Sequence, residues 1–132
     1  MADKSGVKKA KAVRERLTSR KKALLAVSAG RADKAGEPLA LKVGELVDYT
    51  DYFVIMHGES TVQVQAIVED LREIIARAGG SVFGVEGQTE GRWVVIDWGD
   101  VIIHIFLREL REFYELEKLW ADAPRLKVPG PG

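Results

Sequence analysis

The chain has 132 residues, 46% of them hydrophobic and 30% charged, a composition that fits one folded domain and excludes full disorder. Lysine and arginine together number 20, as do aspartate and glutamate, but the charges are unevenly placed. Residues 1–30 carry nine basic and two acidic side chains, a net charge of +7, so residues 31–132 carry −7. The absence of cysteine excludes disulfides, thiolate metal sites and a cysteine nucleophile.

The two ends of the sequence predict tails around a single domain. Residues 1–17 are expected to form a flexible basic arm, residues 18–128 the folded domain, and residues 129–132 a disordered tail. No apolar run approaches the roughly 18 residues of a membrane span, and the start lacks an apolar secretory segment. We therefore expect a cytoplasmic protein without membrane contact. The alternative is an organelle protein, because a basic N-terminus also resembles a transit peptide.

The first half of the domain predicts two helices and two strands. The first three elements are a helix from Thr18 to about residues 30–34, a strand at 39–43 and a strand at 51–57. Ser60 and Gln63 then form a capping box, in which each side chain accepts a hydrogen bond from a backbone N–H group. The helix that follows ends before Gly79 and carries apolar residues at helical spacing: Val64, Ile67, Val68, Leu71, Ile74, Ile75 and Ala78.

The second half predicts a three-stranded antiparallel meander and a final helix. These elements are strands at about 82–86, 92–97 and 100–106 and a helix at about 108–120. Short glycine-containing loops favour the antiparallel pairing. The last strand is apolar on both faces, so we expect it to be central and covered by helices on both sides. The final helix is expected to turn an apolar arc inward, with Glu117 inside it: Leu110, Phe113, Leu116 and Trp120.

The residues give little support to a metal or catalytic site. His57 and His104 lack the spacing that preorganises metal ligands, so His104 is expected to be structural, donating a hydrogen bond to Glu117. The turn at Gly58 before a capped helix is a geometry that can hold a nucleotide phosphate, as in a nucleotidyltransferase. Glu59 would repel that phosphate, and no D-x-D pair lies on one strand. A nucleotide-binding enzyme is therefore kept as the alternative function. A hydrolase is not predicted, because the sequence has no G-x-S-x-G elbow to place a serine for attack.

Two regions predict binding instead of catalysis. Trp93 begins a strand, and alternation places Val95 and Asp97 on its face, an unusual group for a core. This pattern favours an exposed interface tryptophan, because tryptophan is enriched in binding hot spots. The arm offers cations that could contact RNA phosphates, although a solvated arm without a partner explains them equally well. These cations are Lys8, Lys9, Lys11 and Arg14.

Six short segments follow one another in the order of a known family. They are DYFVI at 51–55, G-x-S at 58–60 with Gln63 and Val64, GVEG at 84–87, WVVIDWGD at 93–100, HIF at 104–106 and REFYELEKLW at 111–120. With these motifs the chain resembles the ribosomal silencing factors, also called the Iojap-like family. The resemblance covers about residues 18–128.

The resemblance implies a single α/β domain with a mixed five-stranded sheet flanked by helices, similar to nucleotidyltransferases but without their catalytic residues. It implies a translational repressor that is not an enzyme and needs no cofactor. Such a factor binds the fourteenth protein of the large ribosomal subunit and blocks joining with the small subunit when nutrients are scarce. The partner-binding residues carried over by motif are Trp93, Val94, Val95, Asp97 and Asp100. Trp93 and Val94 would be desolvated against the partner, and the carboxylates would pair with its basic side chains.

Further alternatives and departures accompany the resemblance. A role in large-subunit assembly fits the same partner, and a strand bearing Trp93 could also pair with a second copy to form a homodimer off the ribosome. The family commonly has Ser-Asn-Arg or Ser-Asn-His after the glycine and threonine, where this chain has residues 59–62 with the sequence ESTV. The contact of that basic residue therefore does not carry over. The arm is also longer than the usual family start, and we expect it to add contacts to ribosomal RNA.

Overall fold

The computed structural model describes residues 17–129. The elements in this part of the chain are α1 (Ser19–Ala32), β1 (Gly36–Lys42), β2 (Tyr52–Gly58), α2 (Thr61–Arg77), β3 (Gly84–Glu86), β4 (Trp93–Asp97), β5 (Val101–Leu107), α3 (Arg108–Tyr114) and α4 (Leu116–Leu119). Within residues 17–129, no helix combines the length and the apolar character needed to cross a membrane.

The five strands form one mixed sheet in the order β1-β2-β5-β4-β3. β2 and β5 are parallel, and every other neighbouring pair is antiparallel. The parallel pair arises because α2 carries the chain from the end of β2 to the far edge of the sheet before the β3-β4-β5 meander begins. The predicted mixed five-stranded sheet, its meander and the central position of the last strand are confirmed.

α1 and α2 cover one face of the sheet, which we call the closed face. Each helix begins at a capping side chain: Thr18 Oγ1 accepts from the Lys21 N–H at 3.2 Å, and Ser60 Oγ accepts from the Gln63 N–H at 3.1 Å. Gln63 Oε1 in turn accepts from the Glu59 N–H at 2.7 Å, so the two predicted capping residues start α2 together. Tyr52, at 5% exposure, is the aromatic member of the sheet side of this core. The other strand residues there are mostly aliphatic and fully buried: Val54, Met56, Val94, Ile96, Val101, Ile103 and Ile105.

The opposite face, which we call the open face, is covered only in part. α3, α4 and the segment after α4 lie over β1, β2 and β5. That segment is tied to the sheet edge by the Lys42 N–H, which donates to the Pro124 carbonyl at 2.8 Å. Along β4, by contrast, Trp93 and Val95 are only half-buried. The sequence predicts helices on both sides, but only the closed face is completely covered. The buried hydrophobic residues of the open face are Leu41, Val43, Phe53, Ile55, Phe106 and Ala123.

The single final helix predicted over residues 108–120 is wrong. Glu115 adopts a left-handed conformation (φ 47°, ψ 48°), and its N–H closes α3 on the Arg111 carbonyl at 2.9 Å before α4 begins. The inward orientation predicted for Phe113 is also wrong, since its side chain is 78% exposed. The physical reason is Arg111, which points into the protein at 4% exposure. Two residues later the helix has turned by about 200°, which directs Phe113 to solvent.

The predicted tails fall almost wholly outside the described residues. Leu17, placed in the arm, packs against the core of the closed face. Pro129, placed in the tail, has a carbonyl that accepts from Arg31 Nη1 at 3.3 Å, next to the same contact at Val128. The other arm and tail residues, 1–16 and 130–132, lie outside the described residues, and so do the four cations predicted to contact RNA.

Candidate functional site

Trp93 lies at the start of β4 on the open face and is packed on two sides. Its ring stacks on Phe106, with 4.8 Å between centroids and 28° between planes, and a tilted contact joins it to Tyr114 at 5.0 Å. Its indole Nε1 donates to His104 Nδ1 at 3.2 Å. The indole is therefore held by the sheet and by α3 together, while part of its surface remains open to a partner.

The prediction that His104 donates a hydrogen bond to Glu117 is wrong. Its Nδ1 accepts from Trp93, and its ring meets Phe53 edge-on with centroids 5.4 Å apart. Glu117 instead bonds to Arg111, because the break at Glu115 carries it away from the arc of a continuous helix. Burial lowers the pKa of His104 to about 4, so the ring is neutral near pH 7 and its Nδ1 lone pair is free to accept.

Exposed aromatic side chains continue the surface beyond Trp93. Tyr114 is 51% exposed, and its ring packs edge-on against that of Phe113 at 5.1 Å. Val95 and Asp97 share the Trp93 face of β4 and are half-buried and exposed respectively. We call these five residues, namely Trp93, Val95, Asp97, Phe113 and Tyr114, the Trp93 surface. Sequence reasoning missed the two residues from α3, because it assigned Phe113 to the core.

The other predicted contact residues do not belong to the Trp93 surface. Val94 is 0% exposed in the core of the closed face, so the prediction that it is desolvated against a partner is wrong. Successive strand residues face opposite sides of the sheet, which places Val94 away from Trp93. The Asp100 carboxylate is bound by Lys22 Nζ at 2.7 Å and ties α1 to the β4–β5 turn. Asp97 Oδ1 accepts from the Gly99 N–H at 2.9 Å, and its side chain remains exposed.

A buried arginine organises the open face on the β1–β2 side, at the same strand ends as Trp93. Arg111 Nη1 donates to the Gly36 carbonyl and to His57 Nδ1, both at 2.9 Å, and Nη2 donates to the Glu37 carbonyl at 3.0 Å. Its Nε donates to Glu117 Oε1 at 2.8 Å. These bonds fasten α3 and α4 to the edge of β1 and β2. Sequence reasoning did not single out Arg111, because a periodicity pattern counts arginine as a surface residue.

A cleft of about 500 Å³ lies beside this arginine, at the carboxyl ends of the parallel strands β2 and β5. Such a position is where ligands of α/β proteins commonly bind. Since Arg111 donates to His57 Nδ1, the imidazole proton is on Nε2; burial, and then the Arg111 charge, lower the pKa of His57. Glu59, in the turn before α2, is paired with Arg108 at 3.2 Å. In residues 17–129, no three His, Asp or Glu side chains are grouped as metal ligands would be.

The family assignment comes from comparison with known sequences. The sequence model of the family described as "Ribosomal silencing factor during starvation" matches residues 16–131. The ribosomal silencing factor of Halalkalibacterium halodurans is 42% identical over 106 residues, which cover 80% of this chain and 91% of that protein. The chain belongs to the ribosomal silencing factor family.

Two further relatives extend the comparison within and beyond bacteria. A crystal structure from Chromobacterium violaceum superposes with a TM-score of 0.76 at 27% identity, covering 87% of this chain and 91% of that one. The mouse protein named mitochondrial assembly of ribosomal large subunit protein 1 is 39% identical over 98 residues. This match covers 71% of the present chain but 42% of the mouse protein. The fold is therefore shared with a bacterial protein of known structure, and the sequence similarity extends to part of a longer mouse protein.

Proposed function

We propose that this silencing factor binds the fourteenth protein of the large ribosomal subunit through the Trp93 surface and thereby prevents joining of the small subunit during nutrient limitation. Membership of the family supports association with the large subunit and silencing. The proposed action is steric and needs neither a catalytic residue nor a cofactor. It takes place where bacterial ribosomes work, in the cytoplasm.

The observation that carries this proposal is the partly exposed, rigidly packed Trp93. Binding hot spots are enriched in tryptophan and tyrosine that can be fully desolvated by a partner. Trp93 and Tyr114 meet this requirement, because they contact each other and still expose ring surface on the face that α1 and α2 do not cover. Their rings are held in place before binding, so little conformational entropy is lost on association.

Charge favours a basic protein as the partner. Residues 17–129 carry fourteen basic and eighteen acidic side chains, a net charge of −4. Asp97 contributes an exposed carboxylate at one side of the Trp93 surface, and Glu112 lies on α3 beside Phe113. These carboxylates would pair with lysine or arginine of the partner and orient it, with a larger effect on the association rate than on the affinity.

The basic arm supplies the second part of the proposal, a contact with ribosomal RNA. Lys8, Lys9, Lys11 and Arg14 would neutralise phosphates, and such contacts weaken as salt rises. Deletion of residues 1–16 is expected to weaken large-subunit binding mainly at low salt and to change it little at high salt. An affinity that is unchanged at low salt would remove the arm from the binding site.

The test of the surface is co-sedimentation of the purified protein with isolated large and small subunits. Trp93→Ala is compared with Phe83→Ala, which removes another exposed aromatic side chain, beyond the far end of β4. We expect wild type and Phe83→Ala to bind the large subunit only and to reduce joining when small subunits are added. Trp93→Ala should lose both effects. Equal binding by the two variants would rule out the Trp93 surface.

A role in assembly of the large subunit is the second candidate, favoured by the name of the mouse relative. An assembly factor would bind the same partner as a silencing factor, but it would act while the large subunit is being made. Cells without the protein would then accumulate immature large-subunit particles during growth. If silencing is the function, such cells should instead show normal particles and an excess of joined ribosomes after nutrients are removed. Sucrose-gradient profiles in both conditions distinguish the two.

A further inference from the structure

We propose that His104 is a positioning residue for partner binding. It holds the Trp93 indole and occupies its N–H group, so that the partner must meet Trp93 with an apolar or cationic group and not with a hydrogen-bond acceptor. This inference rests on the proposed function, because it assumes that Trp93 contacts the partner.

The bond between the two rings follows from the register of β4 and β5. Trp93 lies opposite Phe106, and His104 lies opposite Val95, so Trp93 and His104 are diagonal neighbours on one face. Diagonal neighbours in antiparallel strands are within reach of long aromatic side chains. The separation between Nε1 and Nδ1, 3.2 Å, shows that this reach is used for a hydrogen bond. The sheet itself therefore determines where the indole edge points.

The chemistry of the two rings fixes the direction of the bond. Indole Nε1–H is a donor only, so His104 Nδ1 must carry a lone pair and the imidazole proton must be on Nε2. His104 is held from another side by Phe53, which meets it edge-on, and its ring is stacked with Phe106 at 15°. A neutral imidazole fixed in this way keeps the acceptor aimed at Trp93.

The consequence for recognition is that Trp93 offers only its ring. Its one polar group is already paired inside the protein, so a carbonyl of the partner placed at the indole edge would gain no hydrogen bond. The partly open ring surface suits an aliphatic side chain or the guanidinium or ammonium group of a basic residue. If the acceptor of His104 were removed, the indole N–H would be buried unpaired in the complex, which weakens binding.

The test is a double-mutant cycle on affinity for the isolated large subunit. His104→Phe keeps an aromatic ring and removes the acceptor, His104→Asn keeps an acceptor close to the position of Nδ1, and Trp93→Phe removes the donor. We expect His104→Phe to weaken binding by about tenfold and His104→Asn by less than threefold. In the Trp93→Phe background, His104→Phe should change the affinity by less than twofold.

A readout on the free protein separates positioning from simple loss of structure. The indole N–H signal of Trp93, assigned by its absence in Trp93→Phe, should exchange slowly with solvent in wild type and His104→Asn. It should exchange faster in His104→Phe, whose folding is checked by circular dichroism; His104→Leu serves as a second acceptor-free variant if that one fails to fold. An equal effect of His104→Phe with and without the Trp93 donor would overturn the proposal.

The outcomes also distinguish this inference from the proposed function. If Trp93→Ala binds the large subunit as tightly as wild type, the Trp93 surface is wrong and the role of His104 falls with it. If Trp93→Ala abolishes binding while His104→Phe binds as tightly as wild type, the surface stands and only the positioning role is overturned.

Discussion

The two faces of the sheet are built from different residues and have different roles. The closed face buries aliphatic side chains completely under α1 and α2. The open face is covered by two short helices and carries aromatic rings, a histidine bound to Trp93 and the Arg111 network. The closed face can therefore supply most of the burial that stabilises the fold, which leaves side chains of the open face free for a partner.

The difference also concerns what fixes each face in place. Aliphatic packing is non-directional, so the closed face tolerates small changes in volume better than changes in polarity. On the open face, α3 and α4 are held by directional bonds from one guanidinium, and breaking such a set leaves several polar groups unpaired at once. Replacement of a single polar side chain should therefore destabilise the protein more on the open face than on the closed face.

Arg111→Met should strongly destabilise the protein. It keeps much of the side-chain volume but leaves Glu117 and the Gly36 and Glu37 carbonyls without their donor. Loss of one partner of a buried ion pair costs about 3 kcal/mol or more in the free energy of unfolding, measured by urea titration. The matched control is Arg108→Met, which removes the half-exposed Arg108–Glu59 pair and should cost less than about 1 kcal/mol. Similar losses in both variants would mean that the Arg111 network does not anchor α3.

Neighbouring valines on β4 compare the two faces directly. Val94→Ala empties space in the core of the closed face and should lower the free energy of unfolding by about 2 kcal/mol. Val95→Ala, on the half-buried side, should lower it by less than about 1 kcal/mol. Large-subunit affinity of the folded protein should change in the opposite order, with a loss for Val95→Ala only. Reversal of either order, in urea unfolding or in co-sedimentation, would contradict the assignment of these residues to their faces.

The closed face could be predicted from sequence because local patterns determine it. The helical spacing of Val64, Ile67, Val68 and Leu71 identifies the buried side of α2, and all four are fully buried. Alternation along β4 also places Val94 opposite Trp93, in agreement with the structure. The error at Val94 came from transferring a motif as a block, without applying alternation to each of its residues.

The open face was less predictable because its contacts join residues that no local pattern relates. Arg111 contacts His57, which lies 54 positions earlier in the sequence. A periodicity pattern that scores arginine as polar cannot show that Arg111 is buried. Glu115 interrupts the final helix without a glycine or proline to mark the break. The bond between Trp93 and His104 depends on the register of β4 against β5. Only the assembled sheet and its coverage reveal these three features.

Glu115→Gly should stabilise the protein and thereby test the break between α3 and α4. A left-handed conformation costs a residue with a side chain roughly 1 kcal/mol, and glycine adopts it without that strain. We expect a gain of about 0.5–1 kcal/mol in the free energy of unfolding. The control is Glu112→Gly, inside α3, which should lose about 1 kcal/mol because glycine disfavours a helix interior. A loss in both variants would indicate that α3 and α4 form one helix.

The smallest expected effect concerns a carboxyl pair at the rim of the closed face. Asp33 caps the end of α1, and its pKa is raised to about 6, first by burial and then by its hydrogen bond to Asp70 and the charge of that group. An unfolded aspartate has a pKa near 3.8, so between about pH 4 and pH 6 the folded protein binds more protons than the unfolded chain. The contribution of Asp33 to stability is therefore complete below about pH 4 and is lost as the pH rises to about 6.

Asp33→Asn should remove this pH dependence and raise the free energy of unfolding at pH 7 by less than about 0.5 kcal/mol, a small gain because solvent screens a group near the surface. Asp70→Asn should shrink the effect without abolishing it, since burial of Asp33 remains its largest cause. Urea unfolding of the three proteins between pH 4 and pH 7 measures both expectations. If the stability of wild type and of Asp33→Asn changed with pH in the same way over this range, the pKa of Asp33 would not be raised in the folded protein, and burial of this carboxyl group would not destabilise the closed face.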